Sequence, residues 1–269
     1  MTRTGAFPER IVCLTEETTE TLYLLEEDWR IVGISGFTVR PPRARREKPR
    51  VSAFTSAKID RILALEPDLV LGFSDLQADI AAQLVRTGIE VHVFNQRSVA
   101  QILRCIRSLG GMIGCEAKTA RLVEQLTAGL AAVRARAAGL RRRPRVYFEE
   151  WDEPPISCIR WVSELIALAG GEECFPELAV KPLGRDRIVA DPHEIVRRAP
   201  DIVLGSWCGK KFQPGSVAAR SGWSEMPAVR GGFVREIKSA LILQPGPAAL
   251  TEGVQAIQQV ILEWEAATA

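Results

Sequence analysis

Histidine is almost absent from this chain, with two residues in 269, His92 and His193. The six cysteines (Cys13, Cys105, Cys115, Cys158, Cys174 and Cys208) form no C-x-x-C pair. With so few histidines, no zinc-ligand spacing exists. A Cys–His catalytic pair has little support, because neither histidine has an evident partner in sequence. No apolar run approaches the ~18 residues of a membrane-spanning helix. The glycine-rich phosphate loops, the H-E-x-x-H helix and the G-x-S-x-G elbow are all missing, so the common enzyme fingerprints do not apply. An excess of one charge is lacking too, since 35 basic and 33 acidic residues leave a net charge of +2. A field that would collect nucleic acid is not expected. The basic runs at 43–48 and 141–143 read as solvated loop charges. The opening residues lack the apolar stretch of a secretory signal. Dispersed thiols in a chain too large to need disulfide staples fit a reducing compartment. The expected location is cytoplasmic for the chain as it stands, and periplasmic if a signal was removed.

What is present is repetition. Residues 61–72 (Arg-Ile-Leu-Ala-Leu-Glu-Pro-Asp-Leu-Val-Leu-Gly) resemble residues 194–205 (Glu-Ile-Val-Arg-Arg-Ala-Pro-Asp-Ile-Val-Leu-Gly). The pairs Pro67-Asp68 and Pro200-Asp201 lie about half the chain apart, and so do the strand starts Arg10-Ile11-Val12 and Arg145-Val146-Tyr147. That period is far too long for a solenoid, whose units span ~20–50 residues. It predicts two similar α/β lobes with a cleft between them.

Short Val- and Ile-rich runs at 10–14, 30–34, 69–73 and 91–94 predict strands, with helices at 19–27, 57–65 and 76–87. Alternation of this kind implies βαβ units and parallel sheets. Residues 37–52, rich in Pro and Arg, read as an exposed loop. A helix at 99–109 precedes a longer helical pattern at 116–140, whose apolar stripe Leu122, Leu126, Leu130 and Val133 marks one face. At ~1.5 Å per residue it makes a rod of roughly 37 Å, read as a rigid linker. The second lobe shows strands at 145–149, 202–205 and 233–237, and helices at 159–168, 192–198 and 247–266. The organisation expected is an N-terminal lobe over 1–115, a linker helix over 116–141 and a C-terminal lobe over 142–269. The fold class is α/β, with two Rossmann-like lobes of parallel sheet joined by one long helix.

Ligands of parallel α/β sheets meet the loops at the carboxyl ends of the strands. In the first lobe those loops carry Glu16 and Glu17, then Phe37, Ser74 and Asn95. In the second they carry Glu149, Glu150, Trp151 and Asp152, then Trp207, Cys208, Gly209, Lys210 and Lys211. Aligning Arg10 with Arg145 sets two acidic loops opposite each other. Glu16 and Glu150 either bind a cationic, hydroxyl-rich or metal-bearing ligand or cap the following helices; for Glu17 and Asp152, capping is favoured. Trp151 and Trp207, flanked by polar residues, are expected to line a pocket, whereas Trp161 is expected in the core. Cys208 beside two lysines is a candidate nucleophile or soft ligand. Arg160 and Lys210 are candidate partners for ligand anions.

The runs at 10–15, 30–34 and 62–71, with Ser-Glu-Leu-Ile-Ala-Leu-Ala-Gly-Gly at 163–171 and Gln-Pro-Gly-Pro at 244–247, resemble the cobalamin and iron-siderophore substrate-binding proteins of ATP-binding-cassette importers. The resemblance covers roughly residues 8–266. It implies a small-molecule ligand, a corrinoid or ferric chelate, held between the lobes, with no other cofactor and no turnover. It also implies an ABC permease as partner, docked through one glutamate per lobe. Those docking positions hold Asp60 and His193 in this chain, so a matched pair of carboxylates is not present. Two alternatives follow. One is a cytosolic carrier or sensor of a small polar metabolite that no longer docks. The other is an enzyme using Glu16 and Glu150, or Cys208.

Overall fold

The computed structural model describes residues 5–268. They divide into two compact units. The first runs through Gln96 and takes up Ala100–Gln125, and the second holds Arg97–Val99 and the chain from Leu126 on. The division falls inside the long helix.

The first unit is built, in chain order, from β1 (Ile11–Cys13), α1 (Glu16–Leu24), β2 (Ile31–Ser35), α2 (Ala44–Glu47), β3 (Arg50–Ser52), α3 (Ile59–Leu63), β4 (Leu69–Phe73), α4 (Ala78–Arg86), β5 (Val91–Phe94) and α5 (Val99–Met112), and α6 (Glu116–Ala137) follows. Its sheet is wholly parallel, in the order β3-β2-β1-β4-β5. The inner strands β1, β2 and β4 are buried almost throughout, as a sheet covered on both faces requires, and the edge strands β3 and β5 are partly exposed. Val12, Leu14, Ile62, Val70 and Leu84 close one side of it. Each such side chain contributes about 2 kcal/mol by leaving water.

The second unit contains β6 (Arg145–Asp152), β7 (Pro155–Ser157), α7 (Arg160–Ala169), β8 (Glu172–Glu173), α8 (Pro176–Ala179), α9 (His193–Arg197), β9 (Ile202–Gly205), α10 (Pro214–Ala218), α11 (Pro227–Arg230), β10 (Val234–Glu236), α12 (Ser239–Ile242) and α13 (Val254–Ala267). The strand order is β10-β9-β6-β7, with β8 also beside β6. All pairs are parallel except β6 with β7, which form a hairpin. A π-type turn at Ala249–Gly253 leads into α13. Helix α7 stops at Gly170, whose φ of 102° is the left-handed conformation of a helix C-cap.

The sequence repeat has a structural counterpart. Asp68 accepts the backbone N–H groups of Glu9 and Arg10 at 2.9 Å each, and its own N–H reaches Arg10 O at 3.0 Å. Asp201 accepts the N–H of Arg145 at 2.8 Å and returns its N–H to Arg145 O at 2.8 Å. The residues before the two prolines, Glu66 and Ala199, both take left-handed φ values, 46° and 44°. Each ends a short helix, and the proline that follows forbids its continuation. Helix end, turn and strand start are thus one unit used twice. In the first unit the Arg10 side chain also donates to the carbonyls of Leu65 and Glu66.

Several expectations are corrected. Residues 37–52 are more than a loop, because they contain α2 and the edge strand β3. Helix α1 starts at Glu16, three residues earlier than its apolar residues indicated, because its first turn is polar yet buried. Strand β6 extends to Asp152, since the unforeseen β7 pairs with its far end. Glu150, Trp151 and Asp152 therefore belong to a strand and not to an acidic loop.

Removing either carboxylate leaves backbone donors without their acceptor at a strand start. Asp68→Ala and Asp201→Ala are each expected to cost about 1–3 kcal/mol. Urea denaturation checks this, and an unchanged midpoint in both variants overturns it.

Candidate functional site

Helix α1 begins three residues after the carboxyl end of β1. Thr15 is the N-cap residue, but its hydroxyl makes no capping bond to the helix backbone. It donates instead to Glu17 Oε1 at 2.7 Å. Glu16 and Glu17 occupy the first turn, where the helix dipole favours negative charge. Both are nonetheless buried, at 6% and 2% exposure, and one oxygen of each (Oε2) has no hydrogen-bond partner. Burial, then the carboxylates of Glu17 and Glu20, push Glu16 up to about 8, against the pull of Arg45 and Arg40. Burial pushes Glu17 up to about 7, against the hydrogen bond from Thr15. At neutral pH this turn therefore offers carboxylic O–H donors as well as acceptors. Glu20, one turn on, is paired with Arg40 at 2.9 Å.

Gln77 ties this edge together. Its side chain accepts from Phe73 N at 2.8 Å and donates to Phe54 O at 2.8 Å and Leu14 O at 3.4 Å. Ser74, expected to touch ligand, is buried at φ 60°, and its hydroxyl accepts from Leu76 N at 3.3 Å. Its role is to turn the chain. Phe37 is 54% exposed on the loop after β2, and Asn95 is exposed after β5.

The second unit handles its acids differently. Glu149 is fully buried and fully bonded. It accepts from both terminal nitrogens of Arg220 at 2.5 and 2.9 Å, from Trp207 Nε1 at 3.1 Å and from Tyr147 Oη at 3.2 Å. Glu150, on the opposite face of the strand, is gripped by Arg187 at 2.6 and 2.9 Å. Arg187, 1% exposed, also donates to Ser157 O. Asp152 accepts from Lys210 at 2.5 Å. The Lys210 ammonium lies 4.9 Å from the ring centre of Trp207 and 5.7 Å from that of Trp151, a cation–π arrangement.

This corrects the expectation for Trp207. It is 4% exposed and packs with Tyr147, Phe175, Phe212 and Trp223 in the core. Its ring meets Phe212 edge-on at 4.9 Å. Phe212 in turn fills the space over Gly205, where a Cβ would come within 1.8 Å of the ring. Trp161 is in the core as expected, donating to Ile242 O at 2.8 Å. Trp151 stays half-buried, with its Nε1 donating to Glu153 O at 3.1 Å.

Trp151 and Lys210 are thus brought together. Arg160 is exposed at the start of α7 and paired with Glu164 at 2.8 Å. Cys208 is exposed on the turn after β9. Asp60 and His193 are both exposed, on α3 and at the first position of α9. Beside His193, Glu194 is held by Arg197 at 2.7 Å and Arg198 at 3.0 Å. Among the described residues no cluster of His, Cys, Asp and Glu could hold a metal ion, and no helix is long and apolar enough to cross a membrane.

Arg187, Arg220 and Gln77 escaped the sequence reading, and Glu149, read as part of an acidic loop, is instead buried on β6. One signal was available. Glu149 follows the buried run Val146-Tyr147-Phe148 on a central strand, and a carboxylate there needs a cation partner.

Comparison with known proteins adds a family. A model described as "Periplasmic binding protein" matches residues 11–241. An ABC transporter substrate-binding lipoprotein of Bacillus subtilis is 25% identical over 94% of this chain and 80% of its own length. A vitamin B12-binding protein of Vibrio parahaemolyticus is 25% identical over 90% of this chain and 86% of its own. A periplasmic heme-binding protein from Roseiflexus superposes with a TM-score of 0.80 at 23% identity, over 97% of this chain and 99% of that one.

Two electrostatic predictions follow from the contrast between the units. Carboxyls with raised folded pKa values stabilise most below about 4.5 and lose that contribution as pH rises through about 7 and 8. The urea midpoint is expected to fall between pH 5 and pH 9, and Glu16→Gln with Glu17→Gln to flatten the slope; a wild-type midpoint that stays level sinks this. Arg220→Ala strands a buried carboxylate and is expected to cost about 3–5 kcal/mol, read by the same denaturation.

Proposed function

This chain belongs to the periplasmic binding protein family, and on that premise we propose that it captures a cobalamin-like or other metal-chelate ligand for uptake through an ABC-type importer. The observation that carries this reading is the family match together with curated relatives named for vitamin B12 binding, aligned over most of this chain. The side chains suit such a ligand. A large chelate with apolar faces and a polar rim needs aromatic surface and both kinds of hydrogen-bonding group. Phe37 and Trp151 offer the aromatic surface. The ammonium of Lys210 can turn from Asp152 to a ligand carboxylate or phosphate. Glu16 and Glu17, protonated near neutral pH, donate to amide or carboxylate oxygens. Asn95, Arg160 and Cys208 stand at exposed positions for further contacts. Glu150, Ser74 and Trp207 act by position: Glu150 anchors Arg187, Ser74 turns the loop, and Trp207 supports Glu149 from the core.

A second reading, a carrier of a small polar metabolite that does not dock on a permease, is favoured by one observation. The docking position on α9 holds His193, and neighbouring Glu194 is engaged by two arginines instead of standing free to substitute. The enzyme reading loses its second carboxylate, because Glu150 is locked in a two-pronged pair with Arg187.

The deciding experiment is titration of the purified protein with cyanocobalamin, hemin and a ferric hydroxamate, followed by tryptophan fluorescence. One of them is expected to bind with Kd of about 1 μM or tighter. Trp151→Ala or Lys210→Ala is expected to weaken it about tenfold without moving Tm. Absence of saturable binding by all three sets the chelate reading aside in favour of a small polar metabolite.

A further inference from the structure

Strand β5 is the open edge of the first sheet. It gives its alternate backbone groups to β4: Glu90 O accepts from Val70 N at 2.9 Å and Phe94 O from Ser74 N at 2.7 Å. In a parallel ladder the intervening residues turn both backbone groups the other way, so those of Val93 and Asn95 face the unpaired edge. Helix α5 is the next element, and residues of both line one groove. Its residues Gln101, Arg104, Cys105 and Ser108 have the spacing i, i+3, i+4, i+7, which is one helical face. Strand edge and helix face enclose a groove of about 230 Å³, roughly seven water volumes. Phe94 and Cys105, both buried, are its apolar part.

The groove is distinguished by its charge. The lining contains no carboxylate, yet it includes Arg104, an asparagine, two glutamines, a serine and His92. Arg104 is exposed and has no ion-pair or hydrogen-bond partner among the described residues. Arg30 and Arg40 of the same unit are instead engaged by acids. A planar guanidinium facing amides, a hydroxyl and unpaired backbone N–H groups matches the oxygens of a carboxylate or phosphate. The nearest acid in sequence, Glu90, lies outside the lining.

We propose that the β5–α5 groove is a binding site for a small oxyanion, a carboxylate or a phosphate, gripped by Arg104 and oriented by Asn95, Gln101 and Ser108. The site is independent of the chelate reading. It lies along the side of the sheet, and only Asn95 and Gln96 are shared with the carboxyl-end loops. A molecule of this size fills the groove without entering the sheet.

The test is titration of the isotopically labelled full chain with citrate, and separately with inorganic phosphate, at fixed ionic strength. Backbone amide shifts of Val93, Asn95, Gln101 and Arg104 are the readout. Saturable shifts with Kd of about 1 mM or tighter are expected for at least one probe. Which probe saturates identifies carboxylate or phosphate as the group recognised. Arg104→Ala is expected to weaken binding about tenfold or more, while Arg107→Ala, an exposed arginine outside the lining, leaves it unchanged. Three results would each overturn the proposal: shifts that never saturate, binding that survives Arg104→Ala, or equal loss in Arg107→Ala, which signals diffuse charge attraction. Failure of chelate binding in the fluorescence titration leaves these outcomes untouched.

Discussion

Everything else in either unit depends on how a parallel strand is started in register. A hairpin sets register through its turn, but a parallel strand arrives after a crossover and needs another device. Here that device is an aspartate that accepts the backbone N–H at the start of the neighbouring strand and returns its own N–H to the carbonyl there. Asp68 locks β4 to β1, and Asp201 locks β9 to β6. The left-handed residue and proline before each aspartate end the incoming helix, so the strand is aimed before it pairs. With the amino ends pinned, the carboxyl ends align as well. Leu14 N then reaches Leu71 O, and Ser206 N reaches Glu149 O, at the edges where the functional groups stand.

Buried carboxylates are accommodated in two ways. Some pair with a cation: in the second unit Glu149 with Arg220, Glu150 with Arg187 and Asp152 with Lys210, and in the first Glu27 with Arg30 and Lys118. The pairs on β6 hold the strand end, at a desolvation cost that their hydrogen bonds offset. Others, Glu16 and Glu17 in the first unit and Glu173 in the second, make no ion pair among the described residues, and burial shifts them toward the neutral form instead. The end of β6 therefore carries paired charges, and the first turn of α1 carries groups able to donate or accept. That difference arises although the two units share the same helix-turn-strand repeat.

Much of the scaffold was legible in the amino-acid order. Strands over 69–73 and 202–205 stand where their Val and Ile runs are, because a strand buried on both faces must be continuously apolar. The Pro-Asp repeat announced two related units, since proline and aspartate act through local backbone geometry. Family membership was readable for the same reason. Legibility failed where polar residues are buried. The polar first turn of α1 read as a loop, and the tail of β6 read as an acidic loop because its hairpin partner β7 is only three residues long.

What the chain determined by itself was its local geometry: where helices end, where strands start, and which runs are apolar enough to lie inside. Those properties depend on torsional preference and solvation of neighbouring residues, so a short window contains them. The assignment of partners was left to the tertiary structure. Arg220 lies 71 positions from Glu149 and Arg187 lies 37 from Glu150, and no periodicity connects them. Trp207 and Trp151 look alike in sequence, yet Trp207 packs into the core beside Phe212 while Trp151 stays at the edge. Ion pairs and burial follow distance in space, which only the packed sheets and helices define.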